Sequence, residues 1–186
     1  MKPVSRSEAI NRKFPESVVL IVTRDTDGSV NVMPAGWSMF TSGDPLMLAI
    51  SVGLPRHTHA VLERTEELVI AFPSEAQTED IVFCGSCTGA EVDKIAESGL
   101  EPIPATKVDV PLLKKATACF ECRKGPAMKT GDHTIFANEV VATHASEQYP
   151  ERVKNLGREY GDGPARFKTL SQMLAGEVQR PVAADD

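Results

Sequence analysis

The length of its apolar runs constrains this chain most. Residues 18–22 (VVLIV) and 46–50 (LMLAI) are typical: short, rich in β-branched or long apolar side chains, and bounded by polar and turn-forming residues. Runs of this length make strands, because a buried helix needs a longer apolar or periodic stretch. Residues 17–23 read as a first strand, Asp25-Thr26-Asp27-Gly28 as a turn, and residues 29–33 as the second arm of a hairpin. Residues 46–52, 68–72, 116–123 and 134–143 supply further strands. Three helices are expected between them. Residues 58–66 form one, with Thr58 as candidate N-cap, and Ser74 with Gln77 makes a capping box before another that closes at residues 81–83. Residues 90–98 form the third, ended by Gly99. Residues 101–111 hold three prolines and read as irregular, residues 147–178 as a helical segment, and the last ten as frayed. Hairpin-linked strands with interposed helices predict a mainly β (α+β) class: one domain over residues 1–186, an antiparallel barrel with flanking helices. The strand–helix alternation at residues 46–72 keeps an α/β arrangement open.

Charge and composition exclude several functions. Twenty Lys and Arg against 26 Asp and Glu give a net charge of −6, and the positive residues are scattered. Neither a duplex nucleic acid nor an anionic membrane surface is an expected partner. The apolar runs fall far short of the roughly 20 residues of a membrane span. Residues 1–14 lack the apolar stretch of a signal peptide. A cytoplasmic location is therefore expected, with reduced thiols at Cys84, Cys87, Cys119 and Cys122.

Those cysteines form two C-x-x-C pairs, and four thiolates so arranged can hold zinc. The 31 residues between the pairs (88–118) exceed the ~15–20 of a zinc ribbon. Cys119 and Cys122 also lie in an expected strand, where an odd spacing sends them to opposite faces. No bound metal is expected. A structural zinc protein remains the alternative of another class. A redox dithiol at Cys84 and Cys87, or plain core packing of all four, also stays open. His57 and His59 make a poor metal pair, His133 lies in a turn, and the chain has no G-x-G-x-x-G, Walker loop or G-x-S-x-G elbow. Gly85 and Gly89 bracket a loop able to present backbone N–H groups to a phosphate. Arg56, Thr58 and Lys94 suggest an anion site nearby.

Four segments in register resemble the flavin reductase-like family, whose FMN-binding split barrel includes the flavoredoxins. They are Asn31-Val32-Met33-Pro34-Ala35-Gly36-Trp37, the run Ser51-Val52-Gly53-Leu54-Pro55-Arg56-His57-Thr58-His59, the stretch from Cys84 to Lys94, and the stretch from Gly131 to Val140. His57 stands where that family commonly has Tyr and Asn138 where it commonly has Gly, while Cys87 and Cys119 are extra. The resemblance implies a homodimer of split barrels with FMN near the subunit seam. It implies NAD(P)H as co-substrate, or a redox protein as donor, with a small electron acceptor. The alternative within the family is a non-enzymatic electron carrier. By the same resemblance Asn31, Ala35, Gly36, Trp37 and Ser38 form the wall for the isoalloxazine, joined by Ser51 and Val52. Arg56, Thr58 and Lys94 hold the phosphate, and His133 lies beside the phosphate or the ring edge. No protein residue is expected to act as a catalytic acid or base, since the cofactor carries the electrons.

Overall fold

The computed structural model describes residues 1–158 and 165–175. The elements run α1 (Arg6–Asn11), β1 (Glu16–Ser17), β2 (Val19–Arg24), β3 (Val30–Ala35), β4 (Ser38–Gly43), β5 (Leu46–Gly53), α2 (His57–Arg64), β6 (Glu67–Pro73) and, after a single 3-10 turn, α3 (Thr78–Ser86). There follow α4 (Lys94–Glu97), β7 (Pro102–Ile103), β8 (Leu112–Leu113), β9 (Ala116–Thr130), β10 (His133–Ala145), β11 (Val153–Arg158), β12 (Ala165–Thr169) and α5 (Leu170–Leu174).

Seven strands form one antiparallel sheet in the order β3-β2-β6-β9-β10-β5-β4. Its two edges, β3 and β4, are consecutive in the chain and separated only by Gly36 and Trp37. A sheet whose edges are joined by two residues must curl until they meet. The result is a split barrel, as expected. The backbone N–H of Ser51 in β5 donates to the carbonyl of Trp37 at 2.9 Å and fastens that corner. Gly28 closes the β2–β3 hairpin at φ +89°, a conformation that suits a residue without Cβ.

The period of two along each strand divides the core. Val19, Ile21, Leu68 and Ile70 point into the barrel with Leu48, Ile50, Val52, Cys122 and Phe136, and Leu62 of α2 joins them. Leu20, Val22, Val69, Ala71 and Cys119 point outward, where Ile81 and Cys84 of α3 and the segment from Leu100 to Leu113 cover them. Strands buried on both faces explain the near-continuous apolar runs of β2 and β6. Cys119 and Cys122 thus sit in different cores and cannot share a ligand. The outer cover is pinned by Glu121, whose carboxylate is wholly buried. It accepts from the backbone N–H groups of Thr106, Lys107 and Val108, from the Thr106 hydroxyl and from His144 Nε2.

Four local expectations need correction. β4 is a strand that its sequence, SMFTSG, did not suggest. Thr58 lies inside α2 rather than at its cap, which is Arg56. The third helix shrinks to four residues because Asp93 caps it, accepting from the N–H groups of Ile95 and Ala96, and Gly99 instead donates to Asp80. Residues 147–178 are mainly strand where described. β11 pairs with both β1 and β12, and only α5 is helical. The rest of that segment, residues 159–164 and 176–178, and the tail expected to fray (177–186), lie outside the described residues. Among the described residues no helix is long and apolar enough to cross a membrane.

Candidate functional site

A cleft of about 300 Å³ opens where β3, the β5–α2 junction and the end of α3 converge. That volume is at the lower end of the range for small-molecule sites. One wall is the end of β3 with the Gly36-Trp37 corner. The second is Ser51, Gly53, Pro55, Arg56, His57 and Thr58. The third is the segment from Cys84 to Gly89, and Lys94 and His133 complete the lining.

Of the expected residues, Asn31, Ala35, Gly36, Trp37, Ser51, Arg56, Thr58, Lys94 and His133 line this cleft. Val52 and Ser38 do not. Val52 alternates with Ser51 and Gly53, so it points into the barrel core. Ser38 lies past the corner, paired with Ile50 in β4. Cys84 and Cys87 are also wall residues. Reading them only as metal, redox or packing candidates left them out of the site, although Gly85 and Gly89 beside them had flagged the loop.

The floor is built from two buried polar side chains. Asn31 Nδ2 donates to Thr58 Oγ1 at 2.8 Å, which uses the Thr58 hydroxyl within the cleft rather than as a helix cap. The other amide atom, Asn31 Oδ1, is buried and has no partner among the described residues, the residue being only 6% exposed. Buried acceptors in folded proteins are normally paired, and an unpaired one costs about 1–3 kcal/mol. Gly89 presses on the same atom: a Cβ there would sit 2.1 Å from Asn31 Oδ1.

Lys94 is 3% exposed, and its ammonium donates to the carbonyls of Val32 at 3.0 Å and Cys84 at 2.7 Å. It therefore ties the β3 wall to the α3 wall. Burial lowers its pKa, the thiols of Cys84 and Cys87 pull the other way, and Arg56 adds to the lowering. Among the described residues no carboxylate lines the cleft, so Arg56 and Lys94 gather around a space that no described anionic side chain enters. A buried ammonium held by carbonyl dipoles alone calls for an anion. At the rim the Trp37 ring is half exposed. It stacks on His133 with centroids 4.8 Å apart, and Lys13 Nζ lies 5.4 Å from its centre. His133 Nδ1 meets Asp132 Oδ1 at 2.7 Å, which fixes the imidazole.

Comparison with known proteins gives this arrangement a context. The model of the flavin reductase like domain matches residues 11–163. An uncharacterised protein of Archaeoglobus fulgidus is 34% identical over 143 residues, covering 75% of this chain and 80% of its own. One from Pyrococcus abyssi is 33% identical over 144 residues, covering 77% and 82%. Among solved structures, the FMN-binding protein from Thermus thermophilus with bound p-hydroxybenzaldehyde superposes with a TM-score of 0.75 at 23% identity, covering 91% of this chain and 92% of that one. Flavoredoxin of Desulfovibrio vulgaris gives 0.73 at 21%, covering 92% and 93%. The 2-nitrobenzoate 2-nitroreductase of Pseudomonas fluorescens gives 0.76 at 18%, covering 97% and 93%. With a family model spanning most of the chain and a split barrel shared with these structures, the protein belongs to the flavin reductase-like domain family.

Proposed function

We propose that this protein is an FMN-dependent oxidoreductase of the flavin reductase type, which passes electrons from NAD(P)H to its flavin and on to a small acceptor. The observation that carries the reading is the buried Asn31 Oδ1, unpaired among the described residues, in a cleft whose described lining carries formal charge only at Arg56 and Lys94. The donor set fits FMN. An isoalloxazine and its ribityl chain offer N–H and O–H donors for Asn31 Oδ1. A phosphate dianion matches the Lys94 ammonium and the Arg56 guanidinium. The Gly89 backbone packs directly against the Asn31 amide, where any side chain would intrude.

When bound, the flavin supplies the redox chemistry. The chain binds and orients it. Asn31 and Thr58 fix the floor, Lys94 holds the two walls at one spacing, and Arg56 neutralises charge at the entrance. Trp37, braced by His133, shields the rim from water while leaving the side toward a donor accessible. The named neighbours support this reading: one is an FMN-binding protein, one a flavoredoxin and one a nitroreductase.

A homodimer forms part of the same proposal. Phe40 of β4 is about half exposed and meets Phe72 and Phe120 edge-on, with centroids 6.3 and 5.5 Å away, beside the exposed Met39. An apolar patch next to the Gly36-Trp37 corner is suited to cover by a second copy. Anaerobic stopped-flow mixing of the FMN-loaded protein with NADH and with NADPH tests the enzymatic reading. Rapid bleaching of the flavin by either supports it. Flavin reduced by neither would favour an electron carrier that draws on a protein donor.

A further inference from the structure

We propose that Cys84 and Cys87 form a redox-active dithiol that exchanges electrons with the flavin in the same cleft and reduces small disulfides. The inference rests on the FMN reading above and assigns a substrate class to that site. Both residues line the cleft, Cys84 while also packing into the outer core, whereas Cys119 and Cys122 lie in the two cores away from the cleft lining. The pair is asymmetric in the way an attacking and a resolving thiol require: Cys87 is half-buried and Cys84 is 1% exposed. Cys84 lies in the last turn of α3 and Cys87 is its C-cap three residues on, a spacing at which helical geometry holds Cβ atoms about 5–6 Å apart. A disulfide needs about 3.5–4.5 Å, so closure asks for a shift of only an ångström or two. The backbone can provide it. Cys87 has already left the helix for an extended conformation, and its thiol folds back over the last turn to the Phe83 carbonyl at 3.4 Å. The Lys94 ammonium donates to the Cys84 carbonyl at 2.7 Å, and burial pushes the Cys84 thiol up to about 11 although Lys94 acts to lower it, so Cys84 keeps its proton as the resolving thiol.

The chemistry balances. Cys87, its proton lost to solvent, attacks a small disulfide R–S–S–R as the thiolate, forming the Cys87–S–S–R bond and releasing RS−, which takes a proton from solvent to become RSH. Cys84 then attacks the Cys87 sulfur, breaks that bond and releases the second RSH, its own proton going to the departing sulfur. The Cys84–Cys87 disulfide takes two electrons and two protons from a dihydroflavin, which leaves oxidised flavin and restores both thiols. A ligand that must reach Cys87 within a cleft is a small molecule.

The test has two arms. First, the flavin-free protein is equilibrated with hydroxyethyl disulfide and 2-mercaptoethanol at graded ratios, quenched in acid, unfolded, alkylated and mapped by peptide mass. The peptide holding Cys84 and Cys87 should lose two hydrogens and escape alkylation, while Cys119 and Cys122 are alkylated throughout. Cys87→Ser should leave Cys84 free. Cys84→Ala should trap Cys87 as the mixed disulfide with mercaptoethanol, and this arrest does not require the wild-type core contact to survive. In the second arm the FMN-loaded disulfide form is photoreduced under argon. The flavin spectrum should return to the oxidised form as two thiols appear per flavin. Cys84 and Cys87 alkylated at every ratio, or a flavin that stays reduced beside an intact disulfide, overturns the proposal. A protein that closes the disulfide but binds no FMN contradicts the cofactor reading and the flavin-linked couple together. One that binds FMN and never closes the disulfide contradicts the couple alone.

Discussion

Asn31 and Thr58 are locked to each other on the floor of the cleft, and the amide–hydroxyl bond of 2.8 Å that joins them turns Asn31 Oδ1 toward Gly89 without a partner. One side chain is thereby both satisfied and unsatisfied, and the unsatisfied half is packed against Gly89 on the cleft wall. Thr58→Val keeps the volume but removes the acceptor from Asn31 Nδ2. Leaving that buried donor unpaired should cost about 1–3 kcal/mol of stability in urea unfolding. It should also weaken FMN and riboflavin alike, because both present the same ring and ribityl donors. Unchanged stability would show that Asn31 does not depend on Thr58.

Gly89→Ala puts a methyl group 2.1 Å from Asn31 Oδ1. The loop or the amide must then move. Overpacking of this size costs about 1–3 kcal/mol, or about 5- to 150-fold in affinity if it falls on the bound state. FMN and riboflavin should lose affinity equally by fluorescence titration, and because the clash exists in the free protein the thermal unfolding curve should move to lower temperature as well. Wild-type binding of both would place the ligand elsewhere.

Lys94→Met separates charge from bulk. The variant keeps the packing of a long side chain and removes the ammonium that bonds Val32 and Cys84. A charge-assisted contact is worth roughly 1.5–3 kcal/mol, so FMN affinity should fall about 10- to 150-fold further than riboflavin affinity. Parallel losses for the two ligands would make Lys94 a tether between the walls and nothing more.

Much of this site was legible in the sequence, for a physical reason. Arg56, Thr58 and Lys94 stand out as a cationic and hydroxyl-bearing set beside a glycine-bracketed loop, whereas Asn31 and Ser51 are pointed to by the family resemblance and line the same cleft. Val52 lies off the cleft because alternate residues of a strand face opposite sides and its own side chain is in the barrel core. β4 was missed because Ser38, Thr41, Ser42 and Gly43 read as polar connection, while its exposed Met39 and Phe40 satisfy a surface rather than this chain's own core. The strands β11 and β12 were read as helix because their polar, glycine-interrupted sequence carries no apolar alternation. They are held as strands by pairing, with β1 a distant partner in sequence. The burial of Lys94 was equally hidden, since nothing local tells a solvated helix lysine from one turned inward onto two carbonyls.

Glu121 gives the fold a pH signature. Burial acts to raise its pKa, but the Thr106 N–H and hydroxyl, His144 and the Lys107 N–H outweigh it and hold the carboxyl at about 2, against 4.5 for a free glutamate. A depressed folded-state pKa stabilises above the unfolded value, and that stability is lost as pH falls from about 4.5 toward about 2. The contribution is of order 3 kcal/mol. Urea midpoints measured from pH 6 to pH 3 should fall for the wild type and fall less for Glu121→Gln. Parallel slopes would assign the acid sensitivity to other carboxylates.

Phe40→Asp tests the proposed seam. The wild type should sediment at about twice 20.1 kDa, and the variant should shift toward the monomer at micromolar concentration with weakened FMN binding. A variant that remains dimeric would move the interface away from β4.

The central claim is that the cleft binds FMN, and titrating the flavin-free protein with FMN while following flavin fluorescence and absorbance tests it most directly. The account predicts saturable binding of about one FMN per chain, with the oxidised-flavin bands perturbed by burial and the affinity reduced in Gly89→Ala. Absence of saturable binding by the folded wild-type protein, or binding that Gly89→Ala, Thr58→Val and Lys94→Met all leave unchanged, would contradict it.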